Sequence, residues 1–328
     1  MASYIIKRLL MMIPLLLVLS LVVFFIIQLP PGDFLTTYVN QLRSTGAVVT
    51  EDMIAALKVR YGFDQPFFVR YFRWMRNLLQ GDMGYSFVFN RPVNSLVASR
   101  LPVTIALSLI STVLIWLVAF PIGFYSATHK YSIGDYTFTG LSFFGISVPE
   151  FLLAIVLMYL SFLATRMYPG GLYSDIFVNQ PMSWAKFGDL LRHAWIPIVV
   201  MVFTGTAGLF KTFRANLMDE LNKPYVKTAR AKGLSNMRLL IKYPVRIAMI
   251  PFIATVGWML PALISGQTIL SMVLSLPTIG PLLIRALQNQ DMYLAGSIVF
   301  IMAGLSMIGT LVSDILLAVT DPRIRRSM

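Results

Sequence analysis

Long apolar runs recur along the chain, and the shorter stretches between them hold most of the charged residues. These runs predict six membrane-spanning helices, at residues 9–29, 101–128, 136–165, 194–210, 247–271 and 292–318. The first run carries no charge and, at about 1.5 Å per residue, is long enough to cross a hydrocarbon layer of about 30 Å. We therefore predict an all-α integral membrane protein that forms a single domain over residues 1–328.

Composition supports a membrane protein and excludes several other classes. Apolar residues make up 57% of the 328 residues, charged residues only 12%, and the mean hydropathy is +0.74. The formal net charge of +13 would suggest a nucleic-acid partner in a soluble protein, but here the cations lie between spans, so we expect none. The absence of cysteine excludes disulfides and thiolate metal sites. The first apolar run is not followed by a small-residue cleavage pattern, so we expect an uncleaved helix.

The distribution of Lys and Arg predicts the orientation of the six spans. Basic residues occur before the first span, in the loop 128–135, in residues 211–246 and in the C-terminal tail, and the six-span arrangement puts all four on one face. Because positive loops remain in the cytoplasm, this face is predicted to be cytoplasmic, with both termini on it. The opposite face then receives residues 31–100, 166–193 and 272–291.

The extracytoplasmic segment 31–100 is predicted to contain helices. Thr50 can cap a helix that runs to about Tyr61, and Pro66 can open a second helix that ends near Gly81. The second helix mixes aromatic residues with arginines. It either lies on the membrane surface and its neighbours or binds a substrate or partner directly.

The chain lacks the usual signatures of catalysis. The nearest approach to a phosphate-binding loop, at 205–212, has Phe210 where the glycine before the lysine is required. We expect neither His129 nor His193 to have a carboxylate at the helical spacing that would suggest a metal site or a proton relay, and we predict no catalytic residue, no metal site and no cofactor bound by this chain. Glu150 lies inside a predicted span, where it either lines a pathway or pairs at the helix break made by Pro149.

Residues 223–246, the basic segment, hold seven Lys or Arg and no acid. Attraction to anionic lipid could account for the charge. It does not account for the pattern, which predicts two short helices. Pro224 suits a first helical turn that continues to Ala231, Gly233 suits a positive-φ position, and Ser235 can cap a helix over 236–242. Such a pair of helices outside the bilayer is typical of a docking site.

The run Thr228-Ala-Arg-Ala-Lys-Gly233-Leu resembles the cytoplasmic coupling loop of binding-protein-dependent ABC importer permeases, in the branch typified by dipeptide and oligopeptide importers. Further segments are similar over nearly the whole chain: Ile6-Lys-Arg-Leu-Leu, Pro31-Gly-Asp33, Gly81-Asp-Met-Gly84-Tyr-Ser-Phe87, Arg100-Leu-Pro102, Ser147-Val-Pro149 and Asp321-Pro-Arg-Ile-Arg325. The broader importer motif begins with Glu-Ala-Ala, where this chain has Lys227, Thr228 and Ala229.

The resemblance implies the fold of a type I ABC importer permease and a set of partners. These are a second homologous permease, two ABC ATPase subunits that bind ATP and Mg²⁺, a periplasmic or lipid-anchored solute-binding protein, and membrane lipid. The residues expected to couple the chain to an ATPase are Tyr225, Thr228, Ala229, Arg230, Ala231, Lys232, Gly233 and Leu234. Tyr225 and the small residues would supply close packing, and Arg230, Lys232 and Arg238 would pair with acidic groups or lipid.

The loop 272–291 is expected to form an outer gate, with Pro277 and Gly280 shaping a re-entrant turn. Glu150 and Gln267 are further pathway candidates. The expected cargo is di- or oligopeptide, although permeases similar to this one also serve oligosaccharides and other small solutes. An ion-coupled secondary carrier is the rival from another class, and it would need more intramembrane acids or two related halves.

Overall fold

The computed structural model describes residues 2–27, 39, 43–44, 50–61, 64–86, 88–166, 169–178, 180–253 and 267–320. These residues are mostly helical. The helices are α1 (Ala2–Ile27), α2 (Glu51–Tyr61), α3 (Phe67–Leu79), α4 (Val93–Thr128), α5 (Ile133–Ser147), α6 (Glu150–Thr165), α7 (Trp184–Leu221), α8 (Pro224–Ala231), α9 (Asn236–Lys242), α10 (Pro244–Ala248), α11 (Thr268–Val273), α12 (Ile279–Gln288) and α13 (Met292–Thr320). A two-residue antiparallel ladder pairs β1 (Tyr85–Ser86) with β2 (Arg91–Pro92), with Tyr85 opposite Pro92.

Four helices in the described residues are long and apolar enough to cross a membrane, namely α1, α4, α7 and α13. The bent pair α5 and α6 makes a fifth if it is counted as one span. Most of the predicted span at 247–271 lies outside the described residues, so the six-span arrangement stays a prediction. The helix α7 is much longer than the predicted span 194–210, because its polar first and last turns continue the helix beyond the apolar stretch.

The predicted span 136–165 is two helices that meet at an angle of 101°. Val148 adopts an extended conformation with φ −89° and ψ 123°, and Pro149 precedes the first turn of α6. Proline removes a backbone N–H and disfavours helical geometry at the residue before it, which explains why the helix stops here. The expected break at Pro149 is therefore present, and it divides the span almost in half.

The described chain divides into two compact units, and the first comprises residues 104–277 and 309–328. In this unit α7 is the central helix and packs against α5, α6 and α10. Small residues allow the close approach. A Cβ placed on Gly145 of α5 would stand 3.0 Å from the Cβ of Ala207 on α7, which shows how near the two backbones come.

The second unit comprises residues 2–103 and 278–308. Its core is an aromatic cluster in which Phe24 of α1 contacts Tyr71 and Trp74 of α3, with ring centroids 5.5 Å apart in both pairs. A second anchor is Asp291, which is fully buried and accepts a hydrogen bond of 2.5 Å from the hydroxyl of Ser86. The carboxylate thereby ties the strand β1 to the start of α13.

The helices predicted within 31–100 are confirmed. The backbone N–H of Met53 donates to the Thr50 hydroxyl at 3.3 Å, which caps α2 as expected. The helix α3 ends in a Schellman motif, in which the N–H of Asp82 donates to the Asn77 carbonyl at 2.9 Å and Gly81 takes φ +83°. Gly81 adopts this positive φ readily because it carries no Cβ, so the helix ends near the predicted residue.

Candidate coupling surface

The basic segment folds into the two short helices predicted from its sequence. Pro224 occupies the first position of α8, which runs to Ala231. Gly233 follows with φ +76°, and its N–H donates to the Arg230 carbonyl at 3.0 Å. Ser235 stands at the cap position of α9 with an extended backbone, although its side chain makes no capping hydrogen bond. The local signals in the segment were sufficient to predict both helices.

A small hydrophobic core holds α8 and α9 together. Val226 and Ala229 of α8 and Leu239 and Leu240 of α9 are buried in it. Phe124 of α4, Leu221 of α7 and three further side chains pack against this core: Tyr225, Leu234 and Tyr243. Through these contacts the basic segment is packed onto the ends of two long helices.

Tyr225 adds a polar attachment at the same place. Its hydroxyl donates a hydrogen bond of 2.6 Å to Oε2 of Glu220, in the last turn of α7. Burial of the ring, followed by the hydrogen bond and the negative charge of Glu220, raises the pKa of Tyr225. The phenol therefore stays protonated at physiological pH and can donate this bond throughout.

The outer face of α8 and the following turn is exposed and basic. Its exposed residues are Lys227, Thr228, Arg230, Ala231, Lys232 and Gly233. A Cβ placed on Gly233 would meet nothing within 4 Å, so this face is open at the turn. The expectation that Ala229 packs against a partner has to be revised, because Ala229 faces the core of its own chain and is only 7% exposed. Leu234 is half-buried against the same core.

Next to the basic segment lies a second hydrophobic cluster, which joins α4 and α7 to Phe252. Phe120 of α4 meets Phe213 of α7 edge to face, with ring centroids 4.9 Å apart. Phe252 closes the group at 5.6 Å from Phe120 and 5.9 Å from Phe213. Edge-to-face pairs are worth about 0.5–1.5 kcal/mol each beyond their buried area. The aromatic group therefore holds α4 and α7 together.

An ion pair that the sequence did not predict lies two turns before the end of α7. Arg214 donates from Nε and Nη2 to the two carboxylate oxygens of Asp135, each at 2.7 Å. Asp135 is buried and also accepts the N–H of Tyr131 at 3.0 Å. The two residues are far apart in sequence, and the only local signal was Ser132, which caps α5 by accepting the N–H of Asp135.

Among the pathway candidates, Glu150 lies directly after the bend between α5 and α6. The hydroxyl of Thr204 on α7 donates to Oε1 of Glu150 at 3.0 Å, and the glutamate is partly exposed. Glu150 was expected either to line a pathway or to pair at the helix break. The structure gives it a hydrogen-bond partner at the break, and this partner is the hydroxyl of Thr204. Gln267 is buried at the cap position of α11.

The turn expected from Pro277 and Gly280 is built differently. Its left-handed residue is Ser275, with φ +54°, and the N–H of Leu276 donates to the Ser271 carbonyl at 2.8 Å in a Schellman motif that ends α11. Pro277 follows this motif. Gly280 is not in the turn, since it is buried in the first helical turn of α12. Proline after a helix end cannot continue the helix, which accounts for the position of Pro277.

The expectation for the histidines is wrong for His193. Asp189 stands one helical turn earlier on α7, and its Oδ1 lies 3.7 Å from Nδ1 of His193. The same carboxylate accepts two hydrogen bonds of 2.7 Å from Ser174, one from the backbone N–H and one from the hydroxyl. Asp189 thus fixes the connection before α7, while Nδ1 of His193 lies within hydrogen-bond distance, 2.9 Å, of the Asp189 backbone carbonyl. The i, i+4 spacing was visible in the sequence and was missed.

Long apolar helices with a rigid basic segment fixed to their ends are typical of a membrane-embedded subunit of a larger assembly. Two family models match the chain. One describes a binding-protein-dependent transport system inner membrane component and matches residues 119–326, and the other describes the N-terminal part of such components and matches residues 1–108. The chain belongs to this family, and it is a multi-pass protein of the bacterial inner membrane.

Curated relatives cover the chain from end to end. It is 34% identical over 325 residues to the oligopeptide transport system permease protein AppB of Bacillus subtilis, with 99% of each chain aligned. It is 30% identical over 328 residues to the dipeptide transport system permease protein DppB of Lactococcus lactis, covering 99% of this chain and 100% of the relative.

Proposed function

We propose that the chain is a permease subunit of an ATP-driven importer and that it forms, with a second permease of its family, the pathway for di- and oligopeptides. The full-length relatives named for oligopeptide and dipeptide transport support the cargo. The observation that carries the mechanism is the basic segment, whose outer face is exposed while its inner face is locked onto α4 and α7. A segment built in this way is suited to receive force from another protein.

In this proposal the basic segment faces the cytoplasm and docks onto one of two ATPase subunits. Arg230, Lys232 and Arg238 pair with acidic groups there, and Thr228, Ala231 and Gly233 allow close approach of the partner. ATP and Mg²⁺ bind the ATPase subunits, and this chain holds no cofactor. A periplasmic or lipid-anchored solute-binding protein delivers the peptide on the opposite side.

Movement of the docked ATPase would reach the pathway through packed side chains. The contacts of Leu221 and Phe124 connect the basic segment to α7 and α4, and the aromatic group at Phe213 connects these two helices to each other. Packed interfaces shift as rigid bodies between discrete arrangements, so closure of the ATPases would rock both helices together. The bidentate pair between Arg214 and Asp135 would carry α5 with them.

The pathway itself is proposed to use Glu150, Gln267, Pro277 and Gly280. Glu150 supports this assignment best, since it stays partly exposed on an intramembrane bend even with the Thr204 hydroxyl bound to Oε1. The loop 272–291 is proposed as the outer gate, with Pro277 in its connection and Gly280 permitting close packing in α12. Gln267 would present its amide at the start of α11.

Charge reversal on the exposed face tests the docking. Arg230→Glu combined with Lys232→Glu should reduce co-purification of the ATPase subunits by at least about tenfold, because like charges placed against an acidic partner cost several kcal/mol. Lys130→Glu is the control, since Lys130 is also exposed but lies outside the basic segment. Normal assembly and ATP-driven uptake by the double variant would contradict the proposal.

Transport by reconstituted complexes tests the cargo and the energy source. Proteoliposomes holding both permeases, the ATPases and the binding protein should accumulate short peptides only when ATP is supplied. Preferential uptake of oligosaccharides would retain the importer and overturn the peptide assignment. Uptake by this chain alone under an ion gradient would show a secondary carrier, and it would overturn both the ATP-driven importer and the peptide assignment.

A further inference from the structure

We propose that α3 is an interfacial helix, whose exposed aromatic stripe enters the lipid leaflet at the C-terminal end of α1 while its arginines bind lipid phosphate. This inference is independent of the cargo and of the coupling surface. It concerns only the second compact unit, in which α1, α3 and the start of α13 lie together.

The apolar sector of α3 is wider than the protein that covers it. Tyr71, Trp74 and Met75 are buried against α1 and α13, and Phe67 and Leu78 pack beside them. The next stripe around the helix is equally apolar but uncovered, since Phe68 is 62% exposed and Phe72 is 65% exposed. Residues four apart share a helix face, and Leu79 extends the same stripe. The helix therefore presents a continuous apolar surface that the described residues cover on one side only.

Contacts to α1 place this stripe at a definite depth. The hydroxyls of Tyr71 and Ser20 lie 2.8 Å apart, and Phe24 stacks against Trp74. Ser20 stands seven residues before Ile27, the last residue of α1, which corresponds to about 10 Å along the helix axis. The side chains of α3 thus reach the outermost part of a membrane-crossing helix. Interfacial helices lie with their apolar face about 5–10 Å into the boundary between headgroups and acyl chains.

The last long helix gives a second and separate indication of depth. Nη2 of Arg70 donates to the sulfur of Met292, the first residue of α13, at 3.2 Å. Trp74 meets Phe300 edge to face with centroids 6.2 Å apart. The helix α3 therefore lies across the beginning of one membrane-crossing helix and the end of another. A helix held at both places lies at the surface of the bilayer.

Charge identifies lipid as the occupant of this surface. Arg73 and Arg76 are exposed on the side of α3 that follows the aromatic stripe, and the helix contains no acidic residue. Arginines beside exposed aromatics match a layer in which anionic phosphates border hydrocarbon. The uncovered side of α1 continues the apolar surface toward the membrane centre, since Phe25 is 53% exposed and Val22 is 44% exposed.

A spin label can test the depth directly, because the chain contains no cysteine and each introduced cysteine is unique in it. The full chain carrying Phe68→Cys or Phe72→Cys is labelled and reconstituted into nanodiscs of phosphatidylethanolamine and phosphatidylglycerol. The collision rate of the spin label with oxygen, which partitions into lipid, is compared with its collision rate with a water-soluble nickel chelate. Gln80→Cys is the matched control, since Gln80 is exposed at the end of the same helix but outside the stripe.

Both labels on the stripe should show an oxygen-to-nickel collision ratio several-fold higher than the control label. Arg73→Gln combined with Arg76→Gln should lower this ratio, whereas Arg91→Gln, an exposed arginine outside α3, should leave it unchanged. A ratio equal to that of the control would overturn the proposal, because the stripe would then face water. Protection from both reagents would also overturn it, since a protein surface would then be the occupant.

Discussion

Arg214 of α7 holds the buried carboxylate of Asp135 on α5 through two parallel hydrogen bonds of 2.7 Å. The same carboxylate accepts the N–H of Tyr131, so the loop before α5 is fixed by one side chain. This geometry uses the planar fork of a guanidinium, which an ammonium group cannot reproduce. The pair therefore determines how α5 is positioned against α7.

Loss of this carboxylate should be costly. Asp135→Asn leaves the partly exposed guanidinium of Arg214 without its counter-charge and removes a buried acceptor, which should cost about 1–3 kcal/mol. The thermal midpoint of the purified protein should fall by several degrees. Asp219→Asn is the control, since Asp219 is exposed on the same helix, and it should change the midpoint little. An equal effect of both variants would show that the pair does not stabilise the fold.

Gly233→Leu should impair coupling. Gly233 has a φ of +76°, a backbone conformation that costs a residue with a side chain about 1–2 kcal/mol. The leucine side chain would also project from a face that is open in the wild type. We expect reduced assembly with the ATPase, or ATP hydrolysis that is no longer linked to uptake. Gly233→Asn separates backbone strain from side-chain bulk, because asparagine tolerates the left-handed conformation and has a smaller side chain than leucine. Normal transport by the leucine variant would rule out a contact at this position.

Tyr225→Phe should weaken the attachment of the basic segment by about 1–2 kcal/mol, since Glu220 loses a short charge-assisted bond. The pKa of Tyr225 is raised in the folded protein, so its contribution is complete below the ordinary tyrosine pKa of about 10 and is lost as pH rises through the higher folded value. Thermal unfolding from pH 7 to 11 should therefore show a difference between wild type and variant that is constant at first and narrows at the alkaline end. A difference that grows with pH would contradict the assigned hydrogen bond.

Two glycine substitutions should have opposite effects. A Cβ on Gly123 would stand 2.8 Å from Cδ1 of Phe213, whose ring is confined by Phe120 and Phe252, so Gly123→Ala should destabilise the fold by about 1–3 kcal/mol.

A Cβ on Gly208 would meet nothing within 4 Å, so Gly208→Ala should stabilise the fold by about 0.5–1 kcal/mol through the lower entropy of the unfolded chain. Comparison of the two thermal midpoints checks both, and a stable Gly123→Ala protein would show that the aromatic group is loosely packed.

Elements whose signals lie within a few residues were predictable from the sequence. Pro224, Gly233 and the Thr50 cap each act through backbone geometry at their own position, so the short helices around them were predicted closely. The apolar runs likewise identified the long helices. The apolar runs did not predict where these helices end, since α7 extends to Trp184 and Leu221 through polar turns that a hydropathy pattern excludes.

Features that depend on distant residues were not predictable in the same way. Asp135 and Arg214 are unremarkable in sequence until folding brings α5 against α7. The direction of Ala229 depended on where Leu239 and Leu240 lie, and a single helix does not reveal which of its faces is covered. Gly280 was assigned to a turn because glycine suits one, but Ser275 adopts the left-handed conformation there.

The right-angled corner at Val148 and Pro149 limits what can stand beside it in a bilayer. The N–H of Val148 donates to the Phe144 carbonyl, but the carbonyls after Phe144 in α5 face no further turn of the same helix, and hydrocarbon tails offer no donors. The corner must therefore point toward protein or water and away from acyl chains. This requirement fixes the rotation of α5 and α6 about the membrane normal, and it marks which side of the chain is turned inward.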